Sequence, residues 1–286
     1  MLVRKNVTHV TFFRIDLVAI TGYLEGMQAK SRELLNFLLW TAESLTQPTF
    51  RNLTESYESW AYRNGLRRQL GELEKQNLLE RECAQPDSRI YRLTEEGRLL
   101  ALGGRDPQQE WDRNWDGLWR VVVFDIPVGQ NTLRQRLHRY LKARGFGCLQ
   151  DSTWITPNPM EEEKTLLRKE ITNVESLILL EAQPCSGESS EQVVAGAWKF
   201  SRINSNYSRY LQVLAQCPLD PLHCDAAAKR LRRWAELERM AWLEAVVDDP
   251  LLPHRLLPRG YMGKRAWRER VKVLGKASRL LKAFRT

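Results

Sequence analysis

Arginine, asparagine and glutamine crowd one stretch of this chain: Arg63, Asn64, Arg67, Arg68 and Gln69. Arginine pairs with a guanine edge through two parallel hydrogen bonds, asparagine and glutamine do the same with adenine, and further arginines hold phosphates. Carried on a helix, this set has the chemistry of major-groove reading. Arg81, Arg89 and Arg92 follow in a segment of strand-like alternation, placed to meet the DNA backbone or the minor groove. Across its 286 residues the chain has 44 Lys and Arg against 35 Asp and Glu, a net charge of +9. Such an excess attracts polyanions: nucleic acid, acidic lipid or phosphorylated metabolites. Double-stranded DNA is the partner to which these residues together point.

Other chemistries find less support. The five cysteines (Cys83, Cys148, Cys185, Cys217 and Cys224) are odd in number, widely spaced and free of any CxxC pair, which argues against a disulfide framework and a zinc ribbon. Cys217 and Cys224 flank His223, but a zinc site needs four ligands and no fourth lies nearby. There is no GxxxxGK[ST] loop and no GxSxG elbow. The expectation is a protein that is not an enzyme and holds neither cofactor nor metal. No run approaches the roughly 18 apolar residues of a membrane span, and residues 1–30 have no secretion-signal pattern, so a cytoplasmic location off the membrane is expected.

The elements that must position the arginines can be read from periodicity. Leu34, Leu35, Leu38, Leu39 and Ala42 give residues 32–45 one apolar face. Further helical segments cover 50–58 and 61–76, the latter with Leu66, Leu70 and Leu73 as anchors and the polar set projecting elsewhere. Residues 78–82 and 89–93 read as a hairpin around a Gln85-Pro86-Asp87-Ser88 turn. Thr94 caps a following helix whose first turn holds Glu95 and Glu96. Three helices, a hairpin and a capped helix form the winged variant of helix-turn-helix. A winged helix used for protein contacts, its arginines merely solvated, is the alternative. Residues 10–18 could be a strand or an arm.

Turn-rich segments at 103–107 and 183–190 divide the chain into 1–105 (with 1–30 as an uncertain arm), 111–184 and 191–286. In the middle part, residues 117–127 read as a buried strand, 132–144 as a basic amphipathic helix, 152–156 as a strand, 160–172 as a helix and 175–182 as a strand. One more short strand from the flanks would complete a ferredoxin-like α+β sandwich. Trp115-Asp116-Gly117-Leu118-Trp119-Arg120, Val123-Phe124-Asp125-Ile126-Pro127, Gly145-Phe146-Gly147 and Trp154-Ile155-Thr156-Pro157 resemble the PaaX family of repressors of phenylacetate-degradation operons. Trp198, Tyr207, Tyr210-Leu211, Asp249-Pro250-Leu251-Leu252-Pro253 and Leu256-Leu257-Pro258 extend the resemblance over residues 32–282. The sequence departs from it at residues 1–30 and at Arg259-Gly260-Tyr261-Met262-Gly263.

The resemblance implies an α+β protein: a winged helix, a middle domain like the small CRISPR-associated ferredoxin-fold nuclease subunit, and a helical C-terminal domain. It also implies a homodimer on operator DNA, released by a small-molecule effector, an aryl-CoA thioester. In the C-terminal helices, Trp198, Tyr207, Arg230 and Arg233 are the candidates for an effector pocket, the arginines facing the phosphates of a CoA; core packing and a solvated face are the plainer accounts. In the nuclease relatives an aspartate ending the first strand helps to bind a divalent metal. Asp125 occupies that place, which opens a metal-dependent nuclease as an alternative to a cap at the strand end. A nucleic-acid-binding adaptor without a small ligand is a third reading. The last helix, 264–284, is basic and amphipathic, and its charges could add to DNA affinity.

Overall fold

The computed structural model describes residues 31, 67–85, 88–160, 176–185, 187, 189–219 and 225–283. The arm, the helices read over 32–45 and 50–58, the start of the 61–76 helix with Arg63 and Asn64, Pro86 and Asp87 of the expected turn, the 160–172 helix beyond Met160, and the pair His223 and Cys224 lie outside these residues. The described part is a mixed α/β protein with one hairpin, one antiparallel sheet and a set of long helices.

Helix α1 (Arg67–Lys75) runs into the hairpin β1 (Leu79–Gln85) and β2 (Ser88–Leu93), followed by α2 (Glu95–Leu102) and α3 (Pro107–Asp112). Asn77 adopts φ 57°, the left-handed turn that lets the Leu78 N–H reach back to the Leu73 carbonyl at 2.9 Å and end α1. Gly103 plays the same part for α2, with φ 90° and N–H bonds from Gly103 and Gly104 to Leu100 and Leu99.

The sheet contains β3 (Trp119–Asp125), β4 (Gly147–Gln150), β5 (Thr153–Thr156) and β6 (Ser176–Ala182), in the order β4-β5-β3-β6, every pair antiparallel. Helix α4 (Asn131–Ala143) crosses between β3 and β4. Strand β4 is the extra strand expected from the flanks, but it forms inside the Gly145–Cys148 break: the chain turns at Asp151 and Ser152 and pairs back on β5. Alternation along β3 sends Val122 and Phe124 to one face, where Leu137 and Leu141 of α4 cover them, with Phe146, Trp154 and Met160. Trp119 and Val121 turn to the other face, under Ile155, Val194, Trp198, Leu252 and Leu256. Covered on both sides, β3 reads as a nearly continuous apolar run.

The C-terminal part begins with α5 (Ser190–Ala197), opened by a capping box between Ser189 and Gln192. Helices α6 (Phe200–Ala215), α7 (Asp225–Val247) and α8 (Gly263–Ala283) then pack together, with a short 3-10 turn at His254–Leu256. Their core is built from Ile203, Tyr207, Tyr210 and Leu214 of α6, Leu231, Trp234, Trp242 and Ala245 of α7, and Ala266, Leu274 and Ala277 of α8. Among the described residues, no helix is long and apolar enough to cross a membrane.

Candidate functional site

The base of the hairpin is knitted to its flanking helices. The Thr94 hydroxyl donates to the Asn77 carbonyl at 2.7 Å and accepts from the Gly97 N–H at 3.0 Å, while the Thr94 N–H bonds the Leu78 carbonyl. One threonine therefore caps α2 and closes the hairpin at once. Gly97 lies so close to Leu78 that a Cβ there would collide with the Leu78 carbonyl oxygen, so this position accepts only glycine without backbone movement. Leu70, Leu73, Leu78 and Leu79 are buried beneath this junction. The two strands hold the register Arg81 opposite Tyr91, Arg89 opposite Cys83 and Arg92 opposite Glu80.

Helix α1 sorts the expected reading residues. Arg68 is outward, with its side chain 81% exposed and its Nε 3.0 Å from a Glu72 carboxylate oxygen. An exposed pair at this spacing is worth about 0.5 kcal/mol, so a phosphate can displace Glu72 at little cost. Arg67 begins the helix. Gln69 departs from the expectation: only 6% exposed, it sits beside Leu70 and Leu73 on the inward side, and its amide oxygen is buried. A side chain in that place supports packing and cannot meet a base edge without leaving the core.

The four residues expected to form an effector pocket do not come together. Trp198 is buried against Trp119, ring centres 6.1 Å apart, and over Gly147, whose missing Cβ leaves room for the indole. Tyr207 is buried in the helical core, where its O–H donates to Asp249 Oδ2 at 2.5 Å. Both are core residues: Tyr207 stands on the inward stripe of α6, and Trp198, extended just past the end of α5, packs back on the sheet. Arg230 and Arg233 are exposed on α7.

The helical domain holds two polar clusters that periodicity alone does not reveal. In the first, Tyr207 and Tyr261 both donate to Asp249 Oδ2, and the Leu251 N–H donates to Oδ1 at 2.9 Å. Burial pushes the Asp249 carboxyl above its ordinary range, against the pull of the two phenols. It also holds both phenols well above the usual tyrosine value, with the neighbouring carboxylate adding to the rise. In the second cluster, Tyr210 O–H and Arg270 Nε each donate to Glu238 Oε1 at 2.8 Å, with Glu238 and Arg270 0% and 1% exposed. The Arg270 guanidinium lies over the Trp242 ring, 4.8 Å from its centre. The sequence signal for this pair is a charge on an apolar stripe: Arg270 falls in step with Ala266, Leu274 and Ala277.

Two side chains behind α2, Arg105 of the α2–α3 connection and Trp111 of α3, reach into the same domain. The Arg105 guanidinium donates to the carbonyls of Asp249 at 2.6 Å and Val246 at 3.3 Å, with the Pro250 carbonyl at 3.5 Å, covering carbonyls at the end of α7. Trp111 Nε1 donates to the Tyr261 oxygen at 3.2 Å. The segment behind the hairpin is thus bolted to the helices that hold Asp249.

Asp125 is exposed at the end of β3, opposite Ser176. Among the described residues, no group of three or more His, Cys, Asp or Glu side chains is arranged to hold a metal ion.

Residues 112–194 match the family described as the PaaX protein central Cas2-like domain. The chain is 27% identical over 159 residues to the transcriptional repressor PaaX of Escherichia coli (strain K12). That alignment covers 53% of this chain and 49% of the repressor, so the chain spans about half the length of the curated relative it matches. In fold, it is similar to an uncharacterized protein from Mycobacterium tuberculosis, with a TM-score of 0.54 at 19% identity over 88% of this chain and 97% of that one. The family match covers the sheet, α4 and the start of α5, the same segments that carry the tryptophan, glycine and proline motifs, so it is in this central part that the chain is similar to PaaX proteins.

Proposed function

We propose that this protein is a DNA-binding transcriptional regulator, a repressor that binds its operator as a homodimer and leaves it when an aryl-CoA thioester or a related catabolic metabolite binds. The observation that carries the reading is the similarity to the transcriptional repressor of Escherichia coli. The seated hairpin supports it, since a helix, a hairpin and a capped helix in this order present a wing beside a recognition helix. Arg63, Asn64, Arg67 and Arg68 are the proposed base and phosphate contacts ahead of the hairpin, and Arg81, Arg89 and Arg92 those on the wing. Gln69 serves the fold instead. The exposed Arg230 and Arg233 are offered to the phosphates of the effector. Release follows as a population shift: the effector stabilises the form whose two winged helices do not match the half-site spacing.

The test is transcription in vitro from the promoter upstream of the protein's own coding region. The expected result is repression by the purified protein that phenylacetyl-CoA or benzoyl-CoA relieves. Unchanged transcription at saturating protein contradicts an autoregulated repressor. Repression that no CoA ester relieves contradicts the effector class alone.

A further inference from the structure

Helix α8 has two faces with different fates. Ala266, Arg270, Leu274 and Ala277 point into the domain and are buried. The outward face carries Arg265, Arg268, Lys272, Lys276 and Arg279, all exposed, at intervals of three, four, four and three residues. Those intervals keep the five cations in one row along the helix. The row is about 21 Å long at 1.5 Å of rise per residue, roughly the reach of six phosphates along one DNA strand. Glu269 is the acid at its edge, 3.7 Å from Lys272. Among the described residues, no carboxylate pairs with Arg265, Arg268, Lys276 or Arg279. Like charges at these intervals repel one another along the helix, a repulsion that a polyanion laid along the row would relieve.

We propose that this row is a second DNA contact, one that grips backbone phosphates of the duplex without reading sequence. The proposal rests on the reading of the chain as a DNA-binding regulator and adds a surface to it. An acidic membrane is the competing polyanion, and the packing of α8 speaks against it. A helix that lies in a lipid interface buries its apolar face among the acyl chains. The apolar face of α8 is already spent in the protein core, and Val271 is the one exposed large hydrophobic residue on this helix among the described residues.

The experiment measures binding of full-length protein to a duplex from its own upstream region and to an unrelated duplex over a series of KCl concentrations. One variant replaces the row (Arg265→Gln, Arg268→Gln, Lys272→Gln, Lys276→Gln, Arg279→Gln), a second keeps its charge (Arg265→Lys, Arg268→Lys, Arg279→Lys), and a third is Arg67→Ala. Each phosphate contact adds about 0.9 to the slope of log affinity against log salt, so the glutamine variant, which removes all five cations, is expected to lose about four to five from the slope, equally on both duplexes. Its preference for one duplex over the other stays unchanged, and the lysine variant keeps the wild-type slope. Thermal unfolding reports whether the glutamine variant is folded; if it is not, Lys272→Gln with Lys276→Gln should still lose about one to two. An unchanged slope in a folded variant overturns the proposal. So does loss of binding confined to vesicles of equal parts phosphatidylglycerol and phosphatidylcholine. The winged-helix reading fails separately, when the wild type does not discriminate between the duplexes and Arg67→Ala changes nothing; the slope on the unrelated duplex still decides the role of the row.

Discussion

The sheet and the helical domain hold themselves together by different physics. The clusters on the two faces of the sheet are apolar: Val122, Phe124, Leu137, Leu141 and Trp154 on one, Trp119, Ile155, Val194, Trp198 and Leu252 on the other. The helical domain also buries apolar side chains, but it threads through them Tyr207–Asp249–Tyr261 and Tyr210–Glu238–Arg270. Apolar burial is non-directional and tolerates rearrangement of similar volume. A buried polar cluster stabilises only one geometry, and a half-broken one is worse than none. The sheet is therefore a platform, while the helical domain is built to be in one arrangement or to lose it. Arg105 and Trp111 connect that domain to the segment behind the hairpin.

The largest effect should come from breaking the buried ion pair. Arg270→Met leaves the Glu238 carboxylate buried without its cation, at a cost of about 3–5 kcal/mol in urea unfolding. Adding Glu238→Leu to the same chain is expected to recover most of that loss, because the stranded charge is gone. Recovery of nothing would mean that the pair sets the stability directly. Beneath the sheet, Leu141→Ala in α4 should cost about 2–5 kcal/mol by leaving a cavity, with no charge partner able to rescue it.

Arg105→Ala comes next. It removes the guanidinium from the carbonyls of Val246, Asp249 and Pro250 and should cost about 2–3 kcal/mol. Hydrogen exchange should quicken at the end of α7 and leave β3 protected. Equal loosening in both regions would contradict the separation drawn between them.

The pH dependence has a definite sign. Tyr207 and Tyr261 are raised well above the ordinary tyrosine value, chiefly by burial. A raised acid contributes stability that is fully present below its unfolded value and lost as pH rises toward the folded one. Unfolding free energy should therefore fall above about pH 10, and less steeply in Tyr261→Phe, which itself costs about 1 kcal/mol near neutrality. Asp249 is raised as well, so its contribution is present below the ordinary carboxylate range and is lost as pH climbs through its folded value. A profile for Tyr261→Phe that matches the wild type across the alkaline range would remove these phenols from the account.

The smallest effect is chemical. Burial and the neighbouring Glu238 push the Cys217 thiol up to about 12, whereas Cys185 is exposed. Alkylation near pH 8, followed residue by residue by mass spectrometry, should label Cys185 first and Cys217 at least about ten times more slowly. Equal rates would place Cys217 outside the packed core.

The sheet was legible because a short apolar run and a proline stop are local signals. Val121 to Phe124 form a continuous apolar run, Pro127 ends it, and residues 175–182 hold a second such run, so β3 and β6 could be read directly. Strand β4 was hidden because Gly145 and Gly147 look like a break. Gly147 is glycine to let Ala197 and Trp198 approach, a tertiary reason that no local window contains. The same limit applies to Gln69 and Tyr207. Their types suit binding, but which side of a helix faces the core depends on partners far along the chain. Asp249 belongs to the Asp-Pro-Leu-Leu-Pro motif and Tyr261 to the segment that departs from the family pattern, and only packing brings Tyr207 and Tyr261 to one oxygen of Asp249. The cap at Thr94 was legible because its signal, a threonine followed by two glutamates, is contained in one turn.

The most direct measurement is fluorescence anisotropy of the protein on labelled DNA from upstream of its own coding region, at physiological salt, with excess unrelated duplex as competitor and with Arg67→Ala beside the wild type. Binding is expected to survive the competitor and to weaken about tenfold or more in the variant, the loss of one good base contact. Binding no tighter than to the competitor, and indifferent to Arg67, would contradict the winged-helix reading.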